Sequence, residues 1–264
     1  MSTPTSSVIP GPTFSPIPIR VKDQEQEKEK EDSPSNDAAT TTRPHPKPKM
    51  PSPKLRLEVH DLSHPGVAIF FATTNAQQIL TEAYTFVLTN LCTTSERQIS
   101  AQEVRSITLV LREMDGVAFT KGLELDDSHK QIHLSIRYIA SQPPALQASE
   151  IRGVLFHEMV HCWQWFAHDT APGGLVEGVA DWVRLKAGLA PPPWKRELKD
   201  NWDAAYQHTA YFLEWAEKKC GEGGVVKLNA ACKDTYEEEK VWRKAFGKSV
   251  GELWEEYKKT FESS

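Results

Sequence analysis

The sequence contains no apolar run approaching the roughly eighteen residues that a helix needs to cross a bilayer, which excludes a helical membrane protein. It also lacks a surplus of positive charge: 264 residues carry 31 Lys and Arg against 36 Asp and Glu, a formal net charge of -5. Phosphate neutralisation needs clustered Lys and Arg, so nucleic acid is not an expected partner. Cysteine is scarce. Cys92, Cys162, Cys220 and Cys232 form no CxxC pair, which removes a structural zinc ribbon and leaves free, mostly buried thiols as the expectation.

Aromatic residues are nearly missing from one end. Residues 1–54 hold 11 of the 18 prolines and a single aromatic, Phe14, whereas all eight tryptophans lie between Trp163 and Trp254. A segment this poor in apolar side chains cannot offset its chain entropy, so a disordered tail is expected over 1–54. Within it, RPHPKPKMPSP has the proline density of a preformed extended helix that could dock a partner. The opening MSTPTSSVIPGPTFSPIPIR has prolines at 4, 10, 12, 16 and 18 and no sustained apolar stretch, so it does not read as a secretory signal. The expected location is therefore cytoplasmic, with secretion by a non-classical route as the alternative. Residues 55–264, with 23 Lys and Arg against 29 Asp and Glu, are expected to form one acidic domain.

From Leu55 the pattern changes. LRLEVHDL alternates apolar and polar residues, as a strand does, and VAIFFATT reads as a second strand or a short connection. AQQILTEAYTFVLTNLC has helical spacing, VRSITLVLREM and GVAFTKGLEL are β-rich, and KQIHLSIRYIA places Ile132, Leu134, Ile136 and Tyr138 on one face of a strand. A helix follows across SEIRGVLFHEMVHCWQWF, with Ser149 as its expected N-cap. LVEGVADWVRLKAG reads as a second helix ending at Gly188, and DAAYQHTAYFLEWAEKK, GGVVKLNAACK and VGELWEEYKKTF as three more. Strands first and helices second predict an α+β domain, a small mixed sheet and an active-site helix followed by a mainly helical C-terminal half.

The chemistry centres on His157-Glu158-Met159-Val160-His161. Two histidines four apart on a helix share one face and can bind one zinc ion. The glutamate between them sits where it can take a proton from a metal-activated water and pass it to a leaving amine. A catalytic zinc needs a third protein ligand. Sixteen residues beyond His161, after the PGG break at 172–174, stands Glu177, and Asp181 follows one turn later on the same helix face. Glu177 as ligand and Asp181 as hydrogen-bond partner of a ligand histidine is one reading; Asp181 as ligand with Glu177 in support is the other. The layout with a third histidine six residues after the second is disfavoured, because Gln164 and Ala167 occupy its positions and His168 is displaced by one.

HEMVHCWQWF, PGGLVEGVADWVRLKAG, DGVAFTKGLEL, KQIHLSIRYIA, WDAAYQHTAYFLEW and GELWEEYKKT together closely resemble the plant basic secretory protein family. The resemblance extends over about residues 55–262. It implies a zincin-like, thermolysin-like fold and a gluzincin-type zinc metallopeptidase acting on peptides or proteins, in a family associated with plant defence and secretion. It also implies His157, His161 and Glu177 as zinc ligands and Glu158 as the catalytic acid/base. The acidic body and the absence of a recognisable signal depart from the family's name. An alternative function is a binding or defence protein that keeps the zincin scaffold with little or no turnover.

Two further features have two readings, and a third has one. The strand Gln131–Tyr138 is either an edge strand that pairs with extended substrate or a buried interior strand. Tyr206 and His208 are candidates to stabilise an oxyanion, against a core role on an aromatic-rich helix. Cys162 points about 100° away from its neighbour His161 around the helix and reads as packing.

Overall fold

The computed structural model describes residues 50–93 and 99–262, all within one compact unit spanning 46–264. The tail expected over 1–54 therefore falls, for residues 1–49, outside the described residues. Four strands form one sheet: β1 (Lys54–Val59), β2 (Ser106–Arg112), β3 (Ala118–Leu123) and β4 (Asp126–Ser135), in the order β1-β2-β4-β3. β1, β2 and β4 run parallel; β3 returns antiparallel to β4, with Thr120 opposite Ile132. β2 lies in the interior and is buried at every position except Arg112, which is why SITLVL is nearly continuous in apolar residues.

This order decides between the two readings of Gln131–Tyr138. β4 lies between β2 and β3, so it is an interior strand; the edge strand on that side is β3. The strand also stops at Ser135. Its hydroxyl accepts the Tyr138 amide at 3.2 Å and caps a short helix over Ile136–Ser141, the third in the chain. In chain order the helices are α1 (Pro65–Thr73), α2 (Ala76–Val87, continued by a π-helical turn Leu88–Cys92), α3 (Ile136–Ser141), α4 (Gln147–Trp163), α5 (Gly173–Lys186), α6 (Tyr206–Cys220), α7 (Gly224–Ala231), α8 (Glu238–Phe246) and α9 (Val250–Glu262). The fold is thus mixed α+β, with a small sheet and a helical second half. No helix among the described residues is long and apolar enough to cross a membrane.

α1 replaces the strand or short connection expected at VAIFFATT. The segment is apolar on all sides and so shows no period, while Pro65 in the first turn and His64, whose Nδ1 accepts the Gly66 amide at 3.0 Å, start a helix. α4 begins two residues before the expected cap. Ser149 lies inside it, and its hydroxyl donates to the Leu146 carbonyl at 2.9 Å. α8 was not legible as a helix among its charged residues, EEKVWRKAF, although it buries Val241, Trp242, Ala245 and Phe246.

α4 runs through the centre of the domain, between α2, α5 and β3. It is buried on almost every side, with Leu155, Phe156, Met159, Val160 and Trp163 in the core, so it has no polar stripe. α5 packs on α4 and on α6, where Gly178 is needed: a Cβ there would stand 2.3 Å from the Thr209 methyl carbon. Behind α6, the rings of Phe212, Trp242, Trp254 and Tyr257 pack with centroids 5.2–5.8 Å apart and hold the C-terminal helices together.

Candidate metal centre

α4 carries His157, Glu158 and His161 into a cleft of about 1080 Å³, and α5 brings Glu177 and Asp181 to the same place. The reversal between the two helices is tight. Ala167, His168 and Asp169 have φ of 56°, 50° and 64°, three successive residues in the left-handed region. Such strain persists only where surrounding contacts hold it. Here the buried Ala167 amide donates to the Cys232 carbonyl at 2.8 Å, and the Thr170 hydroxyl closes the turn on the Ala167 carbonyl at 2.6 Å.

The expected trio converges. One ligand atom from each of His157, His161 and Glu177 lies within 4.8 Å of the others. His157 Nε2 is 3.2 Å from His161 Nε2 and 3.1 Å from Glu177 Oε2, and His161 Nε2 is 3.8 Å from the same oxygen. The far nitrogens of both rings are engaged: His157 Nδ1 donates to Asp181 Oδ1 at 2.6 Å and His161 Nδ1 to Gln164 Oε1 at 3.1 Å. With Nδ1 engaged on the far side, both Nε2 atoms face one point together with a carboxylate oxygen, and a metal bound there would take the place of the proton that His157 Nε2 shares with Glu177. Two imidazoles and one carboxylate are the donor set of an open zinc site, so the residues present fit that ion.

The surroundings set the charges. Burial alone would depress the His157 pKa, but the hydrogen bonds to Asp181 and Glu177 outweigh it and hold it up at about 9. His161, buried and beside His157, is pushed down to about 4, so it is neutral and ready to coordinate. Burial raises Glu158 above the ordinary carboxylate range. Glu177 stays below its usual value despite burial, held there by its hydrogen bond to His157.

Glu158 is only 5% exposed, yet one of its oxygens has a partner. The Thr120 hydroxyl on β3 lies 2.7 Å from Glu158 Oε2 and 3.0 Å from the Glu158 carbonyl oxygen. Thr120 had no signal in the sequence, because it is 38 positions away and its role depends on β3 packing on α4. Gln164 had one: it follows His161 by three residues on the same helical edge. It ends α4 and is anchored in turn by donating to the Val176 carbonyl at 3.3 Å.

Tyr206 opens α6 with φ 49°, is 56% exposed and stacks its ring 6.2 Å from that of His157, at the mouth of the cleft rather than in the core. Its phenol is pushed above the ordinary value, chiefly by the charge of Glu177. His208 does not line the cleft. Cys162 is fully buried, and burial drives its thiol pKa up, so it is packing and no nucleophile.

The sequence model of a family described as a peptidase of plants and bacteria (BSP) matches residues 52–257, the span that runs from β1 into α9. The chain belongs to this family. The basic secretory protein family is thus the frame for the site, and its peptidase character implies peptide or protein substrates. Comparisons with curated proteins and with solved structures give no match.

Proposed function

We propose that this member of the basic secretory protein family is a zinc-dependent peptidase built on a zincin-like scaffold. The observation that carries the reading is the convergence of His157, His161 and Glu177 beside a buried Glu158, with Asp181 fixing the far side of His157. Zinc at the trio would supply Lewis acidity, making water a nucleophile near neutral pH and polarising the carbonyl under attack. Glu158 then takes the proton of the attacking water and delivers it to the leaving amine. Thr120 holds the Glu158 carboxylate in place for both transfers. The Tyr206 hydroxyl, exposed at the cleft mouth, is the donor for the oxygen on which negative charge develops.

The substrate path follows β3. Its residues 118–122 line the cleft, and its outer edge pairs with no strand among the described residues. An extended peptide can add there by backbone hydrogen bonds and pass its scissile bond over Glu158. Cleavage of a mixed peptide library should stop when a zinc chelator is added and return when zinc is restored. Cleavage that persists unchanged in chelator would sink the reading.

A further inference from the structure

The same cleft continues past Asp181 into a compartment bounded by Tyr138, Val154, Arg184 and Trp194. Glu177, Asp181 and Arg184 follow one another at helical spacing along the face of α5 that meets α4, so the arginine belongs to the stripe that builds the metal trio. Its guanidinium crosses α4 over Gly153, where an added Cβ would stand 2.5 Å from Arg184 Nε. Only glycine one turn before His157 leaves room for it.

This arginine is already compensated. Its Nη2 lies 3.2 Å and 3.4 Å from the two oxygens of Glu150, and its Nε donates to the Leu189 carbonyl at 3.0 Å. Both charged side chains are 9% exposed, and the Tyr138 hydroxyl donates to the same glutamate at 3.0 Å. The indole of Trp194 covers the guanidinium at 5.2 Å from the ring centroid. A carboxylate entering here would meet Glu150 as well as Arg184, so its desolvation would go uncompensated. A large uncharged side chain instead meets two aromatic surfaces and an aliphatic one.

We propose that this compartment selects the substrate residue flanking the scissile bond, favouring a large uncharged side chain, aromatic first, and that Glu150 sets the preference by cancelling the charge of Arg184. The proposal rests on the peptidase reading for the position of the scissile bond, but not for the compartment's binding preference.

The test uses one equimolar pool of random decapeptides in two ways. Cut sites made by the zinc-loaded chain are mapped by mass spectrometry, and peptides retained by zinc-loaded Glu158→Gln protein are sequenced from the same pool. Aromatic and large apolar residues should exceed Asp and Glu by about tenfold at one flank of the cut, and be enriched among retained peptides. Trp194→Ala, on a half-buried loop position, should reduce that ratio to within about threefold, a comparison internal to the pool and independent of overall rate. Glu150→Gln should admit acidic residues at the same flank. If the chain cuts nothing, the peptidase reading fails, and the retained peptides alone decide the compartment. Retention or cutting without an apolar preference, or a Trp194→Ala profile identical to the unmodified one, overturns the proposal and leaves the peptidase reading intact.

Discussion

Glu158→Gln protein should bind zinc as the unmodified chain does and lose peptide hydrolysis by at least about 10³-fold in kcat, within the range a positioned general base supplies. The substitution keeps the shape of a side chain that is 5% exposed and keeps an oxygen for the Thr120 hydroxyl. What it removes is the capacity to take up a proton from water. No other carboxylate can replace it: Glu177 is committed to the histidines and Asp181 lies on the far side of His157. Thr120→Val gives a graded companion. It leaves the base present but unheld, and should lower kcat by about tenfold with zinc unchanged, as losing one hydrogen bond to a charged group would. Activity within tenfold of normal in Glu158→Gln would mean that another group is the base.

The second large effect separates ligand from support. Glu177→Ala should weaken zinc binding by on the order of 10²–10³, the share of one ligand in a four-ligand site. Asp181→Asn should weaken it by only about tenfold, because the amide oxygen still accepts the hydrogen bond from His157. The contrast follows from the geometry. Glu177 Oε2 is 3.1 Å and 3.8 Å from the two inward-facing nitrogens, whereas Asp181 Oδ1 sits 2.6 Å from the outward-facing Nδ1 of His157. Competition with a chromophoric chelator measures both affinities. A larger loss in Asp181→Asn than in Glu177→Ala would exchange the two roles.

What could be read before the structure was what helical periodicity makes local. His157 and His161 share a face because they are four apart, and so do Glu177 and Asp181; a single chain break then suffices to bring the pairs together. The third partner of each group lay beyond that reach. Thr120 meets Glu158 only because β3 follows β4 at the sheet edge, and strand order is a long-range property that alternation within a strand does not encode. The same blindness made Gln131–Tyr138 a candidate edge strand, although a later portion of it turns into α3 at the Ser135 cap. VAIFFATT failed for the opposite reason: a segment apolar on every side has no period, and its cap and Pro65 decide its conformation. Tyr206 and His208, two residues apart on one helix, could not be told apart by pattern. The left-handed turn at Ala205 and Tyr206 sends the first to the cleft and leaves the second outside it.

Zinc K-edge X-ray absorption on the purified, zinc-loaded chain tests the central claim most directly. One zinc per chain, with nitrogen and oxygen neighbours at about 2.0–2.2 Å, two of them showing imidazole scattering, is the result expected for His157, His161 and Glu177. No stoichiometric zinc, or a sulfur neighbour at about 2.3 Å, would contradict it.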